Sequence, residues 1–242
     1  KKLRDGAIQG SLIECINSFI KIRGLKEVMA FTTIADIEFE LLITELRRCC
    51  LLNINGLDKA DYLLTFLSTL SNYCFLSEYA LFETKVEIKI IEDIAKEFIS
   101  PQNLHLGNRI NVLLLSCYRG LSGFSWIETF TQDTVLRSVL DLQVKNKLAE
   151  DDIKSNIKSF DTSLSKISSR VKDQYEKYPY PRWVNTKLPK PLTLKSLFAN
   201  TTLKSPSDVI LQKKKLNILV AGCGTGQHAI QVAARYRDSA VT

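Results

Sequence analysis

Apolar residues recur at helical spacing through most of the chain, and the rhythm changes only near its end. Leu12, Ile16, Phe19 and Ile20 fall on one face of a first helix. Thr33 precedes a second, whose Ile34, Ile37, Leu41 and Leu42 point one way, with Asp36 placed for a capping box. The turn residues Asn53-Ile54-Asn55-Gly56 end that element. Asp58 is placed to cap a third helix, where Leu63, Leu67, Leu70 and Cys74 repeat at helical intervals.

Thr84-Lys85-Val86-Glu87 is a further capping-box signature, and Ile88, Ile91, Ile94 and Phe98 form the stripe of the helix it opens. Ser100-Pro101 closes that helix, because proline disfavours helical geometry in the residue before it. Asn111 to Tyr118 is apolar almost throughout, which predicts a central helix buried nearly all round, with Gly120 as its stop. A polar-faced helix is expected from about Asp133 to Leu148. Another follows from about Ser163, with Leu164, Ile167 and Val171 on one side. Stripes at this spacing belong to a core rather than to a cofactor site, and nothing before residue 160 has a catalytic arrangement.

The pattern then shifts. Five of the six prolines lie between Pro179 and Pro206, and Tyr175 to Trp183 reads YEKYPYPRW. Pro179 and Pro181 bias Tyr178 and Tyr180 toward extended geometry, so the stretch forms a stiff arm carrying aromatic rings and Arg182. Two readings stay open. In one the arm connects two domains and packs its rings between them. In the other it is a flap over a ligand, with Tyr180 or Arg182 reaching a ligand carboxylate. Beyond it, Lys195 to Ala199 suggests a short helix, and Asn217 to Ala221 the first strand. A glycine loop and a helix to about Arg235 follow, and Ser239 to Thr242 begins a second, parallel strand. The expected division is a helical domain at 1–160, a helix plus proline- and aromatic-rich connector at 161–206, and the start of an α/β domain at 207–242.

Composition narrows the classes. The net charge of +7 permits acidic partners without selecting them, and basic residues are not interleaved with aromatics as in a nucleic-acid groove. No run of about 18 uncharged apolar residues argues for a membrane span. The start, KKLRDGAIQG, lacks both a signal-peptide core and an initiator methionine, so the chain reads as a piece open at both ends. Cys15, Cys49, Cys50, Cys74, Cys117 and Cys223 include no Cys-x-x-Cys pair, and only His105 and His228 are there to join them. That excludes a zinc pattern and favours reduced thiols in a cytoplasmic protein.

Chemistry concentrates at Leu216 to Ala229, LNILVAGCGTGQHA. A strand, a glycine turn and a helix N-terminus make a ligand cradle, in which Gly222 and Gly224 turn the backbone sharply with no Cβ in the way. A dinucleotide fold requires Gly-x-Gly-x-x-Gly or Ala, and the third small position is here Gln227. A phosphate-binding P-loop requires Gly-Lys-Ser/Thr, which does not follow.

ILVAGCGTGQHA resembles the first motif of class I S-adenosylmethionine-dependent methyltransferases. Paired with VKDQYEKYPYPRW, it is similar to a bacterial group in which tetratricopeptide repeats precede the methyltransferase domain. The resemblance covers roughly residues 60 to 242 and implies a Rossmann-like α/β domain, here only its first βαβ part, behind a helical domain. It implies that backbone around Ala221, Gly222, Cys223 and Gly224 lines the methionine and ribose portions of the cofactor, with Gly226, Gln227 and, from the arm, Tyr180 and Arg182 as further candidates. The acidic residue often found two positions before the first glycine is Val220 here, so its role is not carried over.

The resemblance further implies methyl transfer by the parent protein and a protein partner for repeats lying upstream; the acceptor is unknown, a protein or small molecule heading the candidates and nucleic acid also open. It assigns no catalytic residue before Thr242, so this stretch alone is expected to be inactive. Cys223, between two glycines, reads as a small residue beside cofactor, and His228 as a structural or surface histidine. A helical protein-interaction module with a non-catalytic α/β end is the alternative, and a dinucleotide-binding oxidoreductase a third.

Overall fold

Residues 9–53, 61–97, 108–156, 166–177, 182–184, 186–199, 201–202, 204–213, 215–236 and 239–242 are described by the structure, a computed structural model. Two compact units divide the chain, Lys1–Arg170 and Val171–Thr242. The described part of the first is helical: α1 (Gln9–Ile20), α2 (Leu25–Met29), α3 (Ile37–Leu52), α4 (Asp61–Leu76), α5 (Lys85–Glu97), α6 (Arg109–Ser116), α7 (Arg137–Leu140) and α8 (Asn146–Asn156). Two 3-10 segments, Leu121–Gly123 and Ser125–Phe130, follow α6, and a π turn at Asp141–Lys145 joins α7 to α8. Helix α9 (Lys166–Lys177) spans the division, and α10 (Leu194–Ala199), α11 (Asp208–Leu211), β1 (Leu216–Ile218), α12 (Gln227–Arg235) and β2 (Ser239–Val241) complete the described elements.

The first unit is built around α4, which packs against α1, α2, α6 and α7. Leu63, Leu67, Leu70 and Cys74, the stripe expected from their spacing, are all buried. Phe66, Tyr73, Phe75 and Leu76 are buried as well, so neighbouring helices cover more than one face of α4. Ile110 and Val112 to Tyr118 are buried together, as expected of a central helix. Gly120 is not its stop: α6 ends at Ser116, and Gly120 is extended, with φ −66° and ψ 127°, ahead of the first 3-10 segment. The expected caps at Asp58 and the Ser100-Pro101 stop lie outside the described residues.

Three expectations are overturned in detail. Asp36 itself caps α3, its side chain accepting from Phe39 N at 2.8 Å, so the helix begins beyond Thr33 and Ile34. The buried face of α3 is Ile43, Leu46, Arg47, Cys50 and Leu51, whereas Ile37, Leu41 and Leu42 are exposed. Arg47 is the reason: a cation in the middle of the buried stripe makes the other face look the more apolar. The helix expected to stop near Leu148 continues to Asn156 through the π turn.

Two polar clusters lie inside the helical core. Arg47 and Glu87 are fully buried, their charged groups 4.0 Å apart. Arg47 Nη2 donates to Phe82 O at 2.8 Å, and its guanidinium lies 4.0 Å over the Tyr118 ring. Glu87 closes the capping box seen in the sequence: Oε2 accepts from Thr84 N at 2.8 Å and Thr84 Oγ1 at 2.7 Å. It also accepts from Tyr118 Oη at 2.8 Å and Arg48 Nε at 3.2 Å. Burial alone would push the Glu87 carboxyl up; the hydrogen bonds from Thr84, Tyr118 and Arg48 outweigh it and hold the group below its ordinary range. In the second cluster the π turn carries Gln143 between α4 and α6. Its Nε2 donates to Ser71 Oγ at 2.8 Å and to Ser116 O at 3.3 Å, while Tyr79 Oη donates to its Oε1 at 3.2 Å. Ser71 and Ser116 share a 2.6 Å hydroxyl contact beside it. The Gln143 cluster pairs its buried polar groups and fixes the register of the helices it joins, whereas in the first cluster Arg47 Nε is buried without a hydrogen-bond partner.

In the second unit β1 and β2 are parallel, pairing Leu216 with Ser239, Asn217 with Ala240 and Ile218 with Val241. The pairing runs on past β1, with Val220 N donating to Thr242 O at 2.8 Å. Helix α12 is the crossover and packs on β2. None of the described side chains of this unit is buried, and Leu219 is 76% exposed.

Candidate functional site

The loop between β1 and α12 is formed by three left-handed glycines, Gly222 with φ 67°, Gly224 with φ 55° and Gly226 with φ 82°. Any other residue at these dihedrals is strained, by roughly 1–2 kcal/mol for an L-residue. A Cβ built on each of the three meets nothing within 4 Å. The glycines are therefore required by dihedral and not by crowding, and the space beside them is open. Gly226 N donates to Cys223 O at 3.0 Å and closes the loop as a turn.

The N–H groups of Gly222, Cys223 and Gly224 have no backbone acceptor among the described residues. Gly226 is the N-cap of α12 and offers no side chain, so the first N–H groups of the helix are also uncapped by it. Backbone donors and the positive end of α12 thus belong to one short turn, a combination that suits a carboxylate, hydroxyls or ring nitrogens of a ligand. Ala221, Gly222, Cys223 and Gly224 are exposed, and Gly226 and Gln227 half-buried. The structure places these six sequence candidates around one turn.

The arm is fastened to this loop. Trp183 Nε1 donates to Thr225 Oγ1 at 3.2 Å and to Thr225 O at 3.3 Å. Farther along, Gln231 Nε2 donates to Thr186 Oγ1 at 3.1 Å, and Leu192 N to Arg235 O at 2.8 Å. The segment from Trp183 to Leu192 therefore tracks α12 from its N-terminal loop to its last residue. Arg182, half-buried, immediately precedes the tethered indole; Tyr180 lies outside the described residues. Trp183 and Thr225 are the residues that sequence reasoning passed over. Both stand inside quoted motifs, yet no local pattern pairs side chains 42 positions apart.

Cys223 is exposed, and its Sγ contacts only its own loop, at Gly224 O 3.9 Å away, among the described contacts. His228 is exposed in the first turn of α12. No nucleophile–base pair is assembled at the loop among the described residues, and no group of three or more His, Cys, Asp or Glu there is arranged to hold a metal ion.

A second concavity, about 450 Å³, lies in the helical unit over α4. Thr65, Ser68 and Asn72 of α4 line it together with Lys26, Thr134 and Ser138. No described helix is long and apolar enough to cross a membrane. No family model, curated protein or solved structure matches the chain.

Proposed function

We propose that the intact protein is a class I S-adenosylmethionine-dependent methyltransferase, and that Ala221 to Gln227 is the turn that holds its methyl donor. The observation that carries this reading is the loop itself: a parallel strand, three left-handed glycines in five residues, amide N–H groups with no backbone acceptor among the described residues, and a start of α12 without a side-chain cap. In it the donor's methionine carboxylate and ribose hydroxyls meet backbone donors, which require glycine dihedrals and no special side chain. A phosphate cradle would add a lysine, and a dinucleotide site a small residue where Gln227 stands.

The β1–α12–β2 unit is then the opening of a Rossmann-like sheet. Its exposed Leu219 and the absence of any buried described side chain in residues 171–242 fit a sheet whose remaining layers are supplied by other segments. Methyl transfer asks little covalent chemistry of a protein, because the sulfonium carries the methyl already activated; alignment and proton removal remain. Neither is provided by the described residues at the loop, so residues 1–242 alone are not expected to turn over.

Alkylation of Cys223 tests the donor reading without relying on activity. It is the exposed cysteine of the six, inside the proposed site. S-adenosylmethionine is expected to slow its reaction with iodoacetamide in the intact protein, and calorimetry to give one donor per chain. Unchanged labelling together with no heat of binding would overturn the reading; protection by a nicotinamide dinucleotide instead would replace it.

A helical protein-interaction module is the second reading, favoured by the hydroxyl-lined concavity over α4. It predicts loss of partner capture on changes at Ser68 or Asn72 with donor binding intact.

A further inference from the structure

We infer that Trp183 is a positioning residue of the donor site: its indole N–H holds the glycine loop at Thr225, so that the segment starting at Trp183 supports that site instead of serving only as a spacer. The inference rests on the donor reading above. A segment with three glycines among five residues has unusually many backbone conformations to lose, and the backbone hydrogen bond from Gly226 N to Cys223 O does little by itself to select among them. The Trp183 contact adds a constraint from outside the loop. It grips both the carbonyl and the hydroxyl of Thr225, immediately before the left-handed Gly226 from which α12 starts.

The position of the contact matters more than its strength. A spacer would be anchored anywhere along the unit; this segment is anchored at the loop, at mid-helix through Thr186 and Gln231, and at the end of α12 through Leu192 and Arg235. The three contacts fall in the same order along both segments, so the arm enters at the loop and runs the length of the helix. Its first contact bears on the peptide plane between Thr225 and Gly226, and so on the turn that Gly226 N closes onto Cys223 O and from which α12 starts.

The test compares Trp183→Phe, which keeps an aromatic ring and removes the donor, with Thr225→Val and Thr225→Ser in the intact protein. Expected S-adenosylmethionine affinities fall about three- to tenfold in Trp183→Phe, as for loss of a hydrogen bond. Thr225→Val should lose less, because the carbonyl partner survives, and Thr225→Ser should match wild type. In ligand-free Trp183→Phe, Cys223 should alkylate faster than in wild type, a readout of loop order independent of donor binding. Wild-type affinity and labelling rate in both Trp183→Phe and Thr225→Val would overturn the inference while leaving the donor reading standing. A wild-type protein that fails to bind S-adenosylmethionine overturns the donor reading and this inference with it. If Trp183→Phe proves misfolded, the Thr225→Val and Thr225→Ser pair decides alone.

Discussion

Arg47 and Glu87 are sealed inside the helical unit with guanidinium and carboxylate 4.0 Å apart, and the Tyr118 hydroxyl donates to the same Glu87 oxygen at 2.8 Å. Such a pair contributes little against a well-packed apolar replacement, but removing one member leaves the other charge buried and uncompensated. Glu87→Ala is therefore expected to destabilise the helical unit by about 3–5 kcal/mol in urea unfolding. Replacing Arg47 and Glu87 together by leucines should cost less than the single change. Equal or greater loss in the double variant would show that the pair itself, and not the orphaned charge, carries the stability.

The same carboxylate gives the unit a pH dependence of known sign. Its folded-state affinity for protons is depressed, so its stabilising contribution is present above the ordinary glutamate range, near pH 4.3, and is lost as pH falls through the lower folded value. Unfolding free energy should decline on acidification below about pH 4.3, and Glu87→Gln should flatten that decline. A Glu87→Gln protein with an unaltered acid limb in circular-dichroism melts would assign the loss to other carboxylates.

Gln143 is the joint between α4, α6 and the π turn. Changing it to leucine keeps comparable volume but leaves the Ser71 hydroxyl, the Ser116 carbonyl and the Tyr79 hydroxyl without the partner they now have. Each buried group so orphaned costs about 1–3 kcal/mol, moderated where Ser71 and Ser116 retain each other. A net loss of about 2–4 kcal/mol is expected, with amide exchange accelerating first in the Asp141–Lys145 turn. Exchange that accelerates evenly across the unit would mean that Gln143 stabilises the core without specifying the turn.

What the sequence disclosed and what it concealed divide by range. Thr84 and Glu87 meet three residues apart, so their capping box is legible in a four-letter pattern. The stripe of α4 is legible because Leu63, Leu67, Leu70 and Cys74 repeat at helical spacing, although Thr69 and Ser71 are buried on the same helix. The face of α3 is not, since Arg47 is acceptable in a core only through Phe82, Glu87 and Tyr118, none of them local. At the loop, glycine identity announces left-handed dihedrals at 222, 224 and 226, and the aromatic arm announces itself through Pro179 and Pro181. Their union through Trp183 and Thr225 is a tertiary fact, invisible until the chain is folded.

The glycine dihedrals supply the last prediction. Gly224→Ala places a methyl group in open space, so it creates no clash, yet it holds an L-residue at φ 55°. The strain of roughly 1–2 kcal/mol is relieved if the loop moves to another conformation, and the amides of Cys223 and Gly224 then lose their direction. Donor affinity should therefore fall about tenfold, within the roughly five- to thirtyfold that 1–2 kcal/mol corresponds to, while melting of the helical unit is unchanged. Ala221→Gly, at a position where no left-handed dihedral is required, is the control and should retain affinity within about threefold, the scale of one ordinary residue's entropy. Equal losses in the two variants would show that the loop senses flexibility in general and not the left-handed turn at Gly224.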